Sequence, residues 1–84
     1  MKPIRILPHA QFEMSRRGIS RAEVEVVVSK PAQVLEAQRG RHIFQSKVGG
    51  GRKLLRVVVK EETGAYAVVT AYRTSKVAKY WRQT

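Results

Sequence analysis

Apolar residues in the first part of this chain recur at helical spacing, and from residue 32 onward the pattern turns to strands. The stretch 8–18, PHAQFEMSRRG, predicts a helix, with Pro8 in its first turn and Gly18 as its C-terminal stop. Ala10 and Met14 are four apart and share a face to bury, while His9 and Glu13 can touch on another face. ISRAEVEVVVSKP, residues 19–31, predicts a second helix. Ser20 is its N-cap, and Glu23 at the third helical position completes a capping box. Ile19 and Val24 form the accompanying hydrophobic staple. Its valines favour a strand in isolation. The explicit cap, and the placing of Val24, Val27 and Val28 on one helical face, decide for helix, with Pro31 as its end.

Four strands follow, at 32–38, 41–48, 52–61 and 65–73, with the glycines 49–51 as the turn between the middle two. KPIRIL near the start is a short extended segment, and SKVAKYW near the end is either a short helix or an extended tail. The expected fold is α+β: two N-terminal helices followed by a four-stranded antiparallel meander in one domain spanning 1–84. The last hairpin allows a register. With Glu62-Thr63-Gly64 as a three-residue loop ending in a left-handed glycine, Glu61 faces Ala65, Val58 faces Val68, Arg56 faces Thr70 and Leu54 faces Tyr72. Alternation then puts Arg56, Thr70 and Tyr72 on one face of the sheet. Val57, Val59, Val69 and Ala71 fall on the other, against the helices.

Composition narrows the function classes. The chain has 84 residues, and 43% of them are hydrophobic, ordinary for a folded domain. A domain of this size buries only about 60% of its unfolded surface, so its core is small. No cysteine is present, which excludes disulfides, zinc–thiolate sites and cysteine nucleophiles. The N-terminus lacks the apolar core of a signal peptide, and no run is long enough to span a membrane; a cytoplasmic protein is expected. The 17 Lys and Arg outweigh the 6 acidic residues, all of them glutamate, for a net charge of +11. Such a field draws polyanions, nucleic acid first and an acidic protein second. The lack of aspartate argues against a two-metal phosphodiesterase, so neither metal nor cofactor is expected.

Candidate chemistry has to be weighed against structural roles. Gly49, Gly50, Gly51 and Arg52 lack the phosphate-loop spacing and precede a strand, so they read as a turn; Arg52 and Lys53 can still meet a nucleic-acid backbone from it. His9 can move a proton near neutrality, but a histidine at a helix start is more often bonded to a neighbour such as Glu13. His42, within a strand, is a weaker candidate. Arg56 stands mid-strand among apolar residues, where a charge needs a partner or an exposed face. It holds either a phosphate through its planar fork or a glutamate. Thr70 and Tyr72 bring hydroxyls near it, for base stacking or proton transfer. Arg73, Lys76, Lys79 and Arg82, interleaved with Tyr80 and Trp81, form a basic and aromatic tail suited to single-stranded RNA, with Trp81 itself expected to dock on the core.

HAQFEMSRRGIS, the KP that closes the second helix, and ETGAYAVVTAYRTSKVAKYW together resemble the bacterial proteins grouped as domain of unknown function 4258. The resemblance covers almost the whole chain. It implies a fold similar to RelE-type toxins, within the barnase/EndoU/colicin/RelE group of ribonucleases. Carried onto this sequence, the family pattern picks out His9, Arg17, Thr70 and Tyr72. Many members carry arginine where this chain has Glu13, which turns that position toward a structural pairing with His9.

The resulting expectation is a small basic RelE-like domain that binds RNA, free or ribosomal, and either only holds it or cleaves it without metal by attack of a 2′-hydroxyl. His9, Arg56, Thr70, Tyr72 and Arg73 are the candidate catalytic residues. Arg17, Arg52, Lys53, Lys76, Lys79 and Arg82 are the candidate backbone contacts. A toxin of this kind pairs with an acidic antitoxin. The alternative is a non-catalytic module that binds nucleic acid or an acidic protein.

Overall fold

In a computed structural model that describes residues 2–83, the two expected helices are α1 (Pro8–Arg17) and α2 (Arg21–Ser29). α1 ends at Gly18, whose left-handed backbone (φ 67°) lets its N–H reach back to the Met14 and Ser15 carbonyls. α2 starts in the expected capping box. The Ser20 hydroxyl accepts from the Glu23 N–H at 3.1 Å, and the Glu23 carboxylate accepts from the Ser20 N–H at 2.9 Å. Substituting Ser20 with alanine is expected to cost about 1 kcal/mol, read as a lower urea midpoint at unchanged slope.

The strands are β1 (Ile4–Ile6), β2 (Gln33–Glu36), β3 (Arg41–Val48), β4 (Lys53–Glu62) and β5 (Ala65–Thr74); a four-residue helix, α3 (Val77–Tyr80), follows. They form one mixed sheet in the order β1-β5-β4-β3-β2. The antiparallel meander is the one expected, but the sheet has five strands rather than four, and not every helix is N-terminal. The extended segment KPIRIL is the added strand. It pairs parallel to β5, Ile4 with Tyr66 and Ile6 with Val68, and buries Ile6 in the core. The chain leaves β1 at one edge, crosses the sheet through α1 and α2, and enters β2 at the opposite edge. The core lies between the helices and one sheet face. Ala10, Met14, Val24, Val27 and Val28 meet Phe44, Leu55, Val57, Val59, Val68 and Ala71 there.

The β4–β5 hairpin departs from the expected register in two ways. Its loop is the two-residue turn Thr63–Gly64, so Glu62 rather than Glu61 faces Ala65. Farther along, a bulge opens: Val59 faces Val68, Val58 faces Thr70, and Val69 is left without an opposite number. Beyond the bulge Arg56 therefore faces Tyr72, not Thr70, and Leu54 faces Thr74, not Tyr72. The sharing of one face by Arg56, Thr70 and Tyr72 survives these changes, and Ala71 stays in the core. Val69 does not: Val68 takes its core place, and Val69 is only half-buried.

Candidate functional site

The sheet face turned away from α1 and α2 is the candidate site. Strand pairing assigns Arg41, Gln45 and Lys47 of β3, Leu54, Arg56, Val58 and Lys60 of β4, and Thr70 and Tyr72 of β5 to this face. The carboxylates are elsewhere. Glu13, Glu23 and Glu25 lie on the helices, while Glu36 and Glu61 follow the core-side pattern of Phe44 and Tyr66. Among the described residues only Glu62 shares the cationic face by alternation, at its hairpin end, and it is paired with Arg5 at 3.2 Å.

Arg56 is the centre of this face. It is 5% exposed and has no carboxylate partner among the described residues. Its Nε donates to Gln45 Oε1 at 2.8 Å, its Nη1 donates to the Tyr72 hydroxyl at 2.7 Å, and its guanidinium carbon lies 4.1 Å from the Tyr80 ring centroid. Gln45, fully buried, donates in turn to Gln33 Oε1 at 2.8 Å and to the Tyr80 carbonyl at 3.1 Å. Gln33 closes the network by donating to the Arg82 carbonyl at 2.7 Å and accepting from the Arg82 N–H at 3.1 Å. Neutral amide, phenol and π-face thus surround the charge, so the question of a glutamate partner is answered: there is none. Gln33 and Gln45 were not singled out by the sequence, and Tyr80 was expected only as part of the basic and aromatic tail, not against Arg56. Gln45 offered no signal of its own, since five of the eight residues of β3 are polar.

Beside Tyr72 the chain reaches α1. Thr70 is two residues back on the same strand face, roughly 7 Å along the strand. Its hydroxyl accepts from Arg17 Nη1 at 3.4 Å, and the same nitrogen donates to the Ala71 carbonyl at 2.8 Å. Arg17 so caps the edge of β5 beyond the end of β1. Arg17 and Arg16 both contact Glu13, at 3.4 and 2.6 Å, and His9 Nε2 is 4.0 Å from the same carboxylate. The Arg16 hydrogen bonds hold the Glu13 carboxyl below its ordinary value against the opposing effect of burial, helped by the charges of Arg16, Arg17 and His9. The expected His9–Glu13 contact is present, with His9 largely exposed, and it continues through Arg17 to Thr70.

Other sequence candidates lie apart. Arg73 is on the helix side, where its guanidinium donates to the Arg17 and Gly18 carbonyls at 3.1 and 2.9 Å and to the Glu23 carboxylate at 3.0 Å. It satisfies the end of α1 and ties it to the capping box of α2. Arg52 and Lys53 line a surface cleft with Val48, Gly49, Glu23 and Arg73. Lys76 and Lys79 belong to α3 and its cap, Arg82 lies just beyond, and Trp81 is half-buried with Lys47 Nζ 4.5 Å from its ring.

Glu23 carries a pH prediction. The Ser20 N–H, then the Arg73 guanidinium, pull its carboxyl below the ordinary 4.5. A lowered native pKa stabilises the fold above the unfolded value, and that stability is lost as pH falls through the native one. Melting temperature is therefore expected to fall below about pH 4.5, less steeply in Glu23→Gln. Equal acid slopes in the two proteins would refute this role.

Residues 6–73 match the family model described as Domain of unknown function (DUF4258). The chain belongs to this family. The matched span holds α1, α2 and all of β2 to β4, and stops one residue short of the end of β5, so α3 and the rest of the C-terminal segment lie outside it. Among curated proteins and solved structures, nothing matches the chain. Among the described residues no cluster of potential metal ligands occurs, and no helix is long and apolar enough to cross a membrane.

Proposed function

We propose that this DUF4258 domain is an RNA-binding protein that works through the sheet face opposite α1 and α2. The observation that carries the reading is Arg56, a buried cation with no carboxylate, on a face where Arg41, Lys47 and Lys60 are also found. Taking a charge from water is costly unless it is matched. An RNA phosphate supplies the match that this face does not, and the guanidinium fork suits its oxygens. The net charge of +11 adds the long-range attraction.

A salt titration tests it. Each phosphate engaged on a single strand adds about −0.7 to the slope of log affinity against log salt. Four such contacts imply a loss on the order of 50-fold between 50 and 200 mM salt. Fluorescence anisotropy with a labelled single-stranded RNA reads this directly. Binding that ignores salt, or no binding at low salt, refutes the reading.

A second reading, metal-independent cleavage, is favoured by the continuous line from His9 through Glu13 and Arg17 to Thr70, next to Tyr72 and Arg56. In this reading a 2′-hydroxyl attacks the adjacent phosphorus while the 5′-oxygen leaves. His9 or Tyr72 moves the proton, and Arg17 and Arg56 stabilise the extra negative charge on the phosphoryl oxygens. The αα-then-meander order is what a RelE-like toxin module would show, and an acidic antitoxin would then compete for the same cationic face. RNA, ribosome-bound substrate included, is expected to be cut in EDTA. Tyr72→Phe or His9→Ala is expected to lower the rate by about 10²–10⁴-fold, whichever group moves the proton. RNA that stays intact throughout leaves the domain a binder.

A further inference from the structure

We infer that Arg56, Gln45 and Gln33 form a pocket for one unpaired nucleobase, and that the domain's own C-terminal segment fills it in the free protein. The inference rests on the RNA reading above and names the substrate as single-stranded.

The tail imitates the ligand in two respects. The Tyr80 ring lies 4.1 Å from the Arg56 guanidinium carbon, the position a base takes when it stacks on an arginine plane. The two glutamine amides hold polar backbone atoms of the same segment. Gln45 donates to the Tyr80 carbonyl, and Gln33 both donates to the Arg82 carbonyl and accepts from the Arg82 N–H. A base edge offers the same mixture of donors and acceptors, reachable only when the base is unpaired. A duplex hides that edge and cannot place one base flat against Arg56.

The tail is also built to leave. None of the four residues of α3 is fully buried, and Ala78 and Lys79 are exposed, so the tail is not locked into the core. Lys76, Lys79 and Arg82 bring positive charge onto a face that already holds Arg41, Lys47, Arg56 and Lys60. This repulsion weakens the tail's hold on the face. The family match ends at residue 73, so the pocket residues fall within the family's domain and the covering segment does not. Displacement exposes Arg56 to the phosphate that follows the stacked base.

Trp81, the only tryptophan, sits next to Tyr80 against Lys47 and reports on the tail. In the full-length chain, a short single-stranded RNA is expected to change Trp81 emission in step with binding measured by anisotropy of the labelled RNA. The same sequence as a duplex, or inorganic polyphosphate, is expected to leave the emission unchanged. Tyr80→Ala, with a melting curve to confirm folding, is expected to bind the single strand about tenfold tighter, because the competing self-ligand is weakened. RNA binding with no change in Trp81 emission overturns the pocket while sparing the binding function. So does a response to polyphosphate as large as that to RNA. Tyr80→Ala that folds and binds no tighter has the same consequence. Failure of both proteins to bind RNA by anisotropy overturns the binding function and the pocket together.

Discussion

Replacing Arg56 with methionine is expected to leave the domain folded and to weaken RNA binding by about 10- to 100-fold, the worth of hydrogen bonds from one charged group. Arg56 is 5% exposed, and its hydrogen bonds go to an amide and a phenol, not a carboxylate. Methionine has comparable length and flexibility and removes the cost of holding a bare charge away from water. The two groups left behind lose partners: the Tyr72 hydroxyl one donor, Gln45 Oε1 another. These effects oppose each other, so stability is expected to change by no more than about 1–2 kcal/mol. Urea unfolding and RNA anisotropy on the same preparation separate the outcomes. Destabilisation well beyond this range with unchanged affinity would make Arg56 a structural cation, and the RNA-binding reading would lose its main support.

Deleting Val58 is expected to destabilise the domain by more than about 3 kcal/mol, whereas deleting Val69 costs about 1 kcal/mol. Val69 is the residue without an opposite number in β5, and its side chain is only half-buried. Without it the pairing near Thr63–Gly64 runs on as a regular ladder, Val58 still faces Thr70, Arg56 still faces Tyr72, and every side chain keeps its face. Val58 has an opposite number, and a one-residue slip sends every side chain of its strand beyond that point, away from the hairpin, to the other face. Val57 and Leu55 would leave the core, the Arg56 guanidinium would enter it, and the Tyr72 hydroxyl would no longer meet Arg56. Thermal and urea unfolding of the two variants measure the contrast. A Val69 deletion as damaging as the Val58 deletion would show that Val69 is not a removable bulge residue.

The outcome for β5 shows how much of the site could be read in the sequence. That Arg56, Thr70 and Tyr72 share a face was legible, because strand alternation is local. Which of them touch was not. A three-residue loop was expected from Gly64 alone, yet Thr63–Gly64 suffices, and nothing near Val69 announces a bulge, since Val68 and Val69 are the same residue type. The structure selects the arrangement that buries Val68 and Ala71 against the helices and leaves the polar pair outside. Arg73 illustrates a different limit. As an arginine following Tyr72 it resembled a site residue, but its contacts are the end of α1 and the Glu23 carboxylate, both more than 45 positions away in the chain.

The helices, by contrast, were determined by neighbours in sequence. Ser20 and Glu23 cap α2 within one turn, valines three and four apart give it a buried stripe, and Gly18 ends α1. Strand alternation, the absence of cysteine and the charge of +11 were equally independent of the fold. What only the tertiary structure decided is where separate strands and the tail come together. It supplied a parallel partner for Ile4–Ile6, set Gln45 opposite Arg56 and Gln33 opposite Gln45, and laid Tyr80 over the guanidinium. These meetings join residues distant in the chain. They are selected by the summed burial of a core on one face and the satisfaction of a charge on the other, and no local stretch of sequence carries that sum.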